Sequence, residues 1–167
     1  MELNFDIRGN LRPYDIIEIS LEEFKAVFVD SFDEDSKRHA IFEKYLTYME
    51  DFQKIIKGDF YQWIDGSFVT TKYNPKDIDL VTVIHHADYG SNKELITQKF
   101  TYPNAQKIYE VDAYVVDALP QNHPNYEAFT KADLLYWENL FSKTRVNRRG
   151  KQHPKGFIQL NFIKDGK

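Results

Sequence analysis

The fold is decided by residues 61–84, which read YQWIDGSFVTTKYNPKDIDLVTVI. An apolar strand runs into Gly66-Ser67, a short polar segment follows, and a second apolar strand opens with Asp77-Ile78-Asp79. Residues two apart on a strand point to the same side, so Asp77 and Asp79 share one face at one strand end. Glycine lets backbone N–H groups approach a phosphate closely, and a helix start after Ser67 adds a favourable dipole. A phosphate cradle beside paired carboxylates is what metal-dependent nucleotide chemistry requires.

This block resembles the nucleotidyltransferase superfamily that includes DNA polymerase beta. It is most similar to the minimal members typified by prokaryotic toxin–antitoxin nucleotidyltransferases, whose signature is Gly-Ser, a short spacer and Asp-x-Asp. Here the spacer is nine residues, Phe68 to Lys76. The superfamily uses a third carboxylate on a later strand, and the candidate is Asp112, within the apolar segment 108–117. The chain as a whole, from Leu21 to Lys155-Gly156, also resembles an uncharacterised nucleotidyltransferase-like bacterial family.

The resemblance implies a fold, a reaction and a set of site residues. The fold is α/β (α+β), a small mixed sheet flanked by helices. Asp77, Asp79 and Asp112 would hold two Mg²⁺ (or Mn²⁺) ions, with Asp112 on the side of the nucleophile. Gly66 and Ser67 would bind the triphosphate of a nucleoside triphosphate, with ATP included among the candidates. The reaction implied is transfer of a nucleoside monophosphate to a hydroxyl of a protein or RNA acceptor, with release of pyrophosphate.

Two cationic residues complete the predicted nucleotide-binding set, Lys76 and Arg148. In the superfamily a small or hydroxyl residue often precedes the first acid, and Lys76 departs from that pattern. Its ammonium either pairs with Asp77 or contacts phosphate. Arg145, Arg148 and Arg149 can each clamp triphosphate or nucleic acid, and spacing does not decide which one reaches the site.

Other interpretations of the same residues stay open. Asp77 can be a turn residue, Asp79 can lie on a solvated strand edge, and Gly-Ser is common in loops. The combination favours a functional site, because Asp79 stands between apolar residues, where a carboxylate without partners is costly. The alternative functions are a catalytically degenerate module that binds nucleotide or a partner protein, and an RNA-binding protein that uses the basic C-terminal segment.

Charge is unevenly distributed along the chain. The formal net charge is −4, yet residues 139–164 contain seven Lys/Arg and no acid. The other residues carry fifteen Lys/Arg against twenty-six Asp/Glu. This segregation favours a polyanion near the C-terminal segment, although a solvated hairpin that offsets the acidic body is the alternative.

Composition indicates one folded domain. A length of 167 residues with 42% hydrophobic and 16% aromatic residues suits a single packed core. We expect a helical N-terminal part (1–57), a catalytic core (58–120) and a C-terminal helix with the basic segment (121–167). Zero cysteines exclude disulfides and thiolate metal sites. No apolar run approaches the ~20 residues of a membrane span, so we expect a cytoplasmic protein with no membrane contact, its oligomeric state open.

The expected elements follow from periodicity and breakers. A capping box at Ser20 and Glu23 predicts a short helix from Leu21 to Val29. The remaining expected helices are 36–57, 91–100 (or a loop) and 125–142, and the expected strands are 60–64, 78–85, 107–117 and 157–162.

Overall fold

A mixed β-sheet organises the chain, and the computed structural model describes residues 3–164. Its strands are β3 (Ile16–Glu18), β4 (Phe60–Asp65), β5 (Asp79–His85), β6 (Asp112–Ala118) and β7 (Phe157–Phe162). Their order across the sheet is β3-β7-β4-β5-β6. The β4–β5 and β4–β7 pairs are antiparallel, while β5–β6 and β3–β7 are parallel. A separate two-stranded hairpin is formed by β1 (Asn4–Phe5) and β2 (Leu11–Arg12).

Helices lie on both faces of this sheet. They are α1 (Leu21–Lys25), α2 (Arg38–Ile55), α3 (His86–Leu95), α4 (Asn104–Tyr109) and α5 (Ala132–Phe141). Short π-helical segments continue α1 and α3 and precede α5, over Ala26–Asp30, Ile96–Phe100 and Tyr126–Lys131. Within residues 3–164, no helix has both the length and the apolar character needed to cross a membrane.

The two sheet faces bury separate apolar clusters. The larger cluster contains the α2 stripe with Phe42, Tyr45 and Phe52, packed on alternate strand residues such as Ile64. The smaller cluster contains Trp63, Val81 and Val83 under α5, where the Phe141 ring contacts Phe157. The predicted class, a small mixed sheet flanked by helices, is confirmed.

Several local expectations can be compared with this structure. The capping box is present, since the Ser20 side chain accepts from Glu23 N and the Glu23 side chain accepts from Ser20 N. The expected strand 107–117 is wrong at its start, because α4 ends at Tyr109 and Glu110 takes a left-handed conformation (φ 58°) before β6 begins. Three short strands, β1, β2 and β3, precede Ser20.

Candidate active site

Three aspartates lie side by side at one edge of the sheet. Asp65 ends β4, Asp79 begins β5 and Asp112 begins β6. Asp79 is paired in register with Asp65 on one side and with Asp112 on the other. Directly paired residues point to the same face, and neighbouring strands are about 4.8 Å apart. These residues therefore form a carboxylate row across three strands, on the face that α5 covers.

Asp77 joins the row from the loop that precedes β5. Burial and the charge of Asp112 raise the pKa of Asp77, against opposing effects of Lys76 and Arg145. The negative charges of Asp77 and Asp112 therefore act on one another. The structure thus brings together the three acids that the sequence singled out, Asp77, Asp79 and Asp112, and adds Asp65 as a fourth.

Asp79, at the centre of the row, is the most perturbed of these acids. Burial raises the pKa of Asp79 to about 8, with further contributions from a hydrogen bond to Asp112 and from the charges of Asp77, Asp112 and Asp65. Like charges held this close cannot all remain ionised without a counter-charge. At neutral pH and without a cation, Asp79 therefore keeps its proton.

Asp112 contributes a buried oxygen atom that needs such a counter-charge. Its Oδ1 accepts no hydrogen bond from an amide, hydroxyl or ammonium group of residues 3–164. A protonated Asp79 carboxyl can serve it, and so can a cation. A proton and a divalent ion are thus two alternative ways to satisfy the same oxygen atom.

A metal-binding group is not preformed at this edge. Among the residues that the structure describes, no three His, Cys, Asp or Glu side chains are arranged as a metal-binding cluster. The donors themselves suit Mg²⁺ or Mn²⁺, because hard cations prefer carboxylate oxygens.

Gly66 forms the turn that follows Asp65. Its backbone has φ 77° and ψ −167°, a region that only glycine readily adopts. A Cβ atom at this position would overlap the Asp79 carboxylate. Ser67 then opens a 3₁₀ turn (Ser67–Val69), and the first amides of such a turn have no partner inside it. Gly66 and Ser67 thus present backbone next to the carboxylate row.

Lys155 balances the charge of Asp65. The Lys155 ammonium lies 2.8 Å from Asp65 Oδ1, and both side chains are nearly buried. Burial raises the pKa of Asp65 to about 6, while Lys155 and the Gly66 backbone amide act in the opposite direction. The sequence placed Lys155 in the basic segment, for which a nearby polyanion was favoured and a solvated hairpin was the alternative. The structure instead pairs Lys155 with Asp65.

Arg38 holds the loop between Gly66 and Asp77. It is fully buried at the start of α2. Its guanidinium donates to five carbonyl groups, those of Phe28 (2.8 Å), Ser67 (3.4 Å), Phe68 (2.6 Å), Thr70 (2.8 Å) and Lys72 (2.6 Å). The guanidinium also lies 4.0 Å from the Phe32 ring centroid. Burial lowers the pKa of Arg38 to about 10, which leaves it charged at neutral pH.

The basic segment forms a hairpin that starts and ends beside the site. Thr144 N donates to His153 O (2.8 Å), and Asn147 N donates to Lys151 O (2.8 Å). Arg145, in the first arm of this hairpin, is the arginine whose charge acts on Asp77. The predicted Arg148 is exposed at the hairpin tip. Lys76 is exposed, and its charge acts on Asp77.

Sequence reasoning did not single out Asp65 or Arg38, and it did not predict that Lys155 pairs with Asp65. Asp65 carries a usable signal, because it directly precedes the Gly-Ser turn and ends an apolar strand. For Lys155 and Arg38, nothing in the local sequence distinguishes a buried cation from a solvated one.

Comparison with known proteins identifies one matching family. The model of a family described as being of unknown function (DUF6932) matches residues 3–161. No curated protein and no solved structure matches the chain significantly.

Proposed function

We propose that this chain, which belongs to the DUF6932 family of unknown function, is a metal-dependent nucleotidyltransferase. It transfers a nucleoside monophosphate from a nucleoside triphosphate to a hydroxyl of an RNA or protein acceptor. The observation that carries the proposal is the carboxylate row, in which Asp79 lies in register with Asp112 while Asp77 is close enough for its charge to act on both. A cytoplasmic setting, where nucleoside triphosphates are available, goes with this function.

Asp77, Asp79 and Asp112 would hold Mg²⁺ or Mn²⁺. The donor set fits, because the buried Asp112 Oδ1 needs a counter-charge and the pKa values of Asp77 and Asp79 are raised in the absence of a cation. When bound, the ions supply charge neutralisation for the attacking and leaving oxygens. Asp79 would give up its proton to act as a ligand, because carboxylates bind metal in the ionised form.

The remaining residues bind and orient the substrates. Ser67 offers its backbone amide and hydroxyl to phosphate oxygens, and Gly66 lets the backbone approach them closely. Lys76 and Arg145 add positive charge on the side of Asp77. The acceptor oxygen forms a bond to the α-phosphorus as the bond to the bridging oxygen breaks, and pyrophosphate leaves with that electron pair. The acceptor proton passes to an ionised carboxylate of the site, for which Asp112 is the candidate.

Labelling tests this function directly. The protein is incubated with each α-labelled nucleoside triphosphate, Mg²⁺ or Mn²⁺ and a cell extract, and transfer of label to a macromolecule is measured. Asp79→Asn and Asp77→Ala should each lower the rate by a hundredfold or more, since lost transition-state stabilisation costs roughly 3 kcal/mol or more. Asp133→Asn, an exposed acid in the first turn of α5, is the matched control and should leave the rate unchanged.

A module that binds nucleotide without turnover is the second candidate. The observation that favours it is the absence of a metal-binding cluster among the described residues, together with the raised pKa of Asp79 when no cation is bound. Thermal denaturation separates the two candidates. Both predict stabilisation by Mg²⁺ with nucleotide, but only the enzyme also transfers label.

A further inference from the structure

A row of aromatic rings lies on the same sheet face as the carboxylates. The rings of Tyr102 and Tyr114 stack with centroids 6.0 Å apart and planes 24° apart. Tyr114 also packs on Trp137 of α5, with centroids 4.7 Å apart. The rings of Trp137 and Tyr136 are nearly perpendicular, with centroids 5.2 Å apart and planes 82° apart. We call Tyr102, Tyr114, Trp137 and Tyr136 the aromatic row.

The aromatic row begins one step away from the carboxylates. Tyr114 follows Asp112 by two residues on β6, so both side chains point to the same face, and their Cα atoms are about 7 Å apart. Tyr114 is paired in register with Val81, as Asp112 is with Asp79. The distance from a planar group stacked on Tyr114 to the acids would therefore be no longer than one nucleotide.

The row is open at both ends and supported in the middle. Tyr102 is 56% exposed and Tyr136 is 60% exposed, whereas Tyr114 and Trp137 are half-buried. In the core, by contrast, rings such as Phe52 and Phe100 are at most 1% exposed. Exposed apolar surface of this kind, next to a polar site, marks a place of binding.

We propose that the aromatic row is a nucleobase-stacking surface. Stacked aromatic side chains bind bases through their flat faces, and positive charge follows the phosphates alongside. Both parts are present here, because the basic hairpin (143–155) flanks the same acids and brings the Arg145 charge to Asp77. The ligand is a base, supplied either by the nucleoside triphosphate or by a single-stranded nucleic-acid acceptor. This assignment rests on the proposed function only for the choice of those two sources.

Four probes isolate the contribution of the base. ATP is compared with inorganic tripolyphosphate, both with Mg²⁺, and a short adenosine oligoribonucleotide is compared with an abasic oligomer of the same length. Each pair differs in the base and shares the phosphates. Stacking is worth about 1–3 kcal/mol per base, so the base-containing member should bind about 5- to 100-fold more tightly.

Variants at the exposed ends of the row then assign the base. Tyr102→Ala combined with Tyr136→Ala should remove most of that difference for whichever source occupies the row, and leave tripolyphosphate or the abasic oligomer unaffected. The double Tyr→Phe variant keeps the rings and should keep the difference. Phe129→Ala is the matched control, because Phe129 is 59% exposed and makes no ring contact with the row.

The outcomes separate this proposal from the proposed function. If the double Ala variant leaves all four affinities unchanged, or weakens base-containing and base-free probes equally, the stacking surface is wrong. If the aromatic row makes base-containing probes bind more tightly than base-free probes while no label is transferred under any condition, the stacking surface stands and the nucleotidyltransferase proposal fails. Folding of each variant is checked by thermal denaturation, since these ends lie outside the core.

Discussion

The Lys155 ammonium lies 2.8 Å from Asp65 Oδ1, and the two side chains are only 10% and 8% exposed. Through this pair, the residue that ends the basic hairpin is tied to the acid next to Asp79. Removing one partner of a buried pair leaves an uncompensated charge, whereas replacing both partners by neutral groups is often tolerated.

Lys155→Met should therefore lower the free energy of unfolding by about 3–5 kcal/mol. Asp65→Asn combined with Lys155→Met should recover much of that loss, because no buried charge remains. Urea denaturation of the wild type, both single variants and the double variant measures the coupling. If the double variant is no more stable than Lys155→Met, then Lys155 does not stabilise the fold through its ion pair with Asp65.

The pH dependence of stability should report on Asp79. The folded-state pKa of Asp79, about 8, lies above its ordinary value of 3.8, so the folded protein binds this proton more tightly than the unfolded chain does. The resulting stability is complete below about pH 4 and is lost as pH rises towards 8. Asp65, with its pKa raised to about 6, acts in the same direction over a lower range.

In metal-free protein, the free energy of unfolding should thus fall between pH 5 and pH 8.5, and it should fall less in Asp79→Asn. Each unit of pKa shift corresponds to about 1.4 kcal/mol. Because Asp79 is partly exposed, solvent screening reduces its contribution, and we expect the fall in the free energy of unfolding to differ between wild type and Asp79→Asn by on the order of 2 kcal/mol. Mg²⁺ should stabilise the wild type more at pH 8.5 than at pH 5, because the ion competes with the proton. Parallel pH curves for wild type and variant would contradict the assignment.

Gly66→Ala should damage both stability and activity. Its backbone region costs about 1–3 kcal/mol for other residues, and the added methyl group would push against the Asp79 carboxylate. Gly90→Ala is the control, since Gly90 lies within α3 and an added Cβ there meets nothing within 4 Å. That change should stabilise the protein by up to about 1 kcal/mol. Normal label transfer by Gly66→Ala would exclude this turn from the site.

Salt dependence tests the basic hairpin. If Arg148 and Arg149 contact nucleic-acid phosphates, replacing both by Ala should flatten the plot of log affinity against log salt by roughly one or two units, at about 0.7 per contact on a single strand. Lys93→Ala combined with Lys107→Ala removes the same charge from α3 and α4, and should leave the slope unchanged. Equal slopes in the wild type and the arginine variant would mean that this hairpin does not bind the strand.

Three of the four acids, Asp77, Asp79 and Asp112, could be predicted from the sequence because each is marked by its local surroundings. Asp77 and Asp79 follow a Gly-Ser turn at a fixed spacing, and Asp112 interrupts an apolar run. Strand pairing then places Asp79 beside Asp112, and that register follows from the parallel β5–β6 connection.

The cations could not be predicted in the same way. Arg38 belongs to α2 and binds a loop about thirty residues later, and Lys155 meets an acid ninety residues earlier in the chain. Such contacts depend on how elements far apart in the chain pack together. The periodicity of a single sequence does not report that packing. The start of β6 was misplaced for a different reason, since Lys107–Tyr109 reads equally well as strand or as the end of a helix.

The Arg38 contacts also limit how this site can change in evolution. One guanidinium binds carbonyl groups of Phe68, Thr70 and Lys72, so the path of the chain between the glycine turn and Asp77 is shaped by a helix residue that is not part of the loop. Inserting or deleting a residue in 68–72 would shift these carbonyls out of reach and leave a buried cation without acceptors. Loops usually tolerate changes of length better than the elements they connect, but here the loop has its length fixed, and variation should concentrate in the exposed hairpin tip at 147–150.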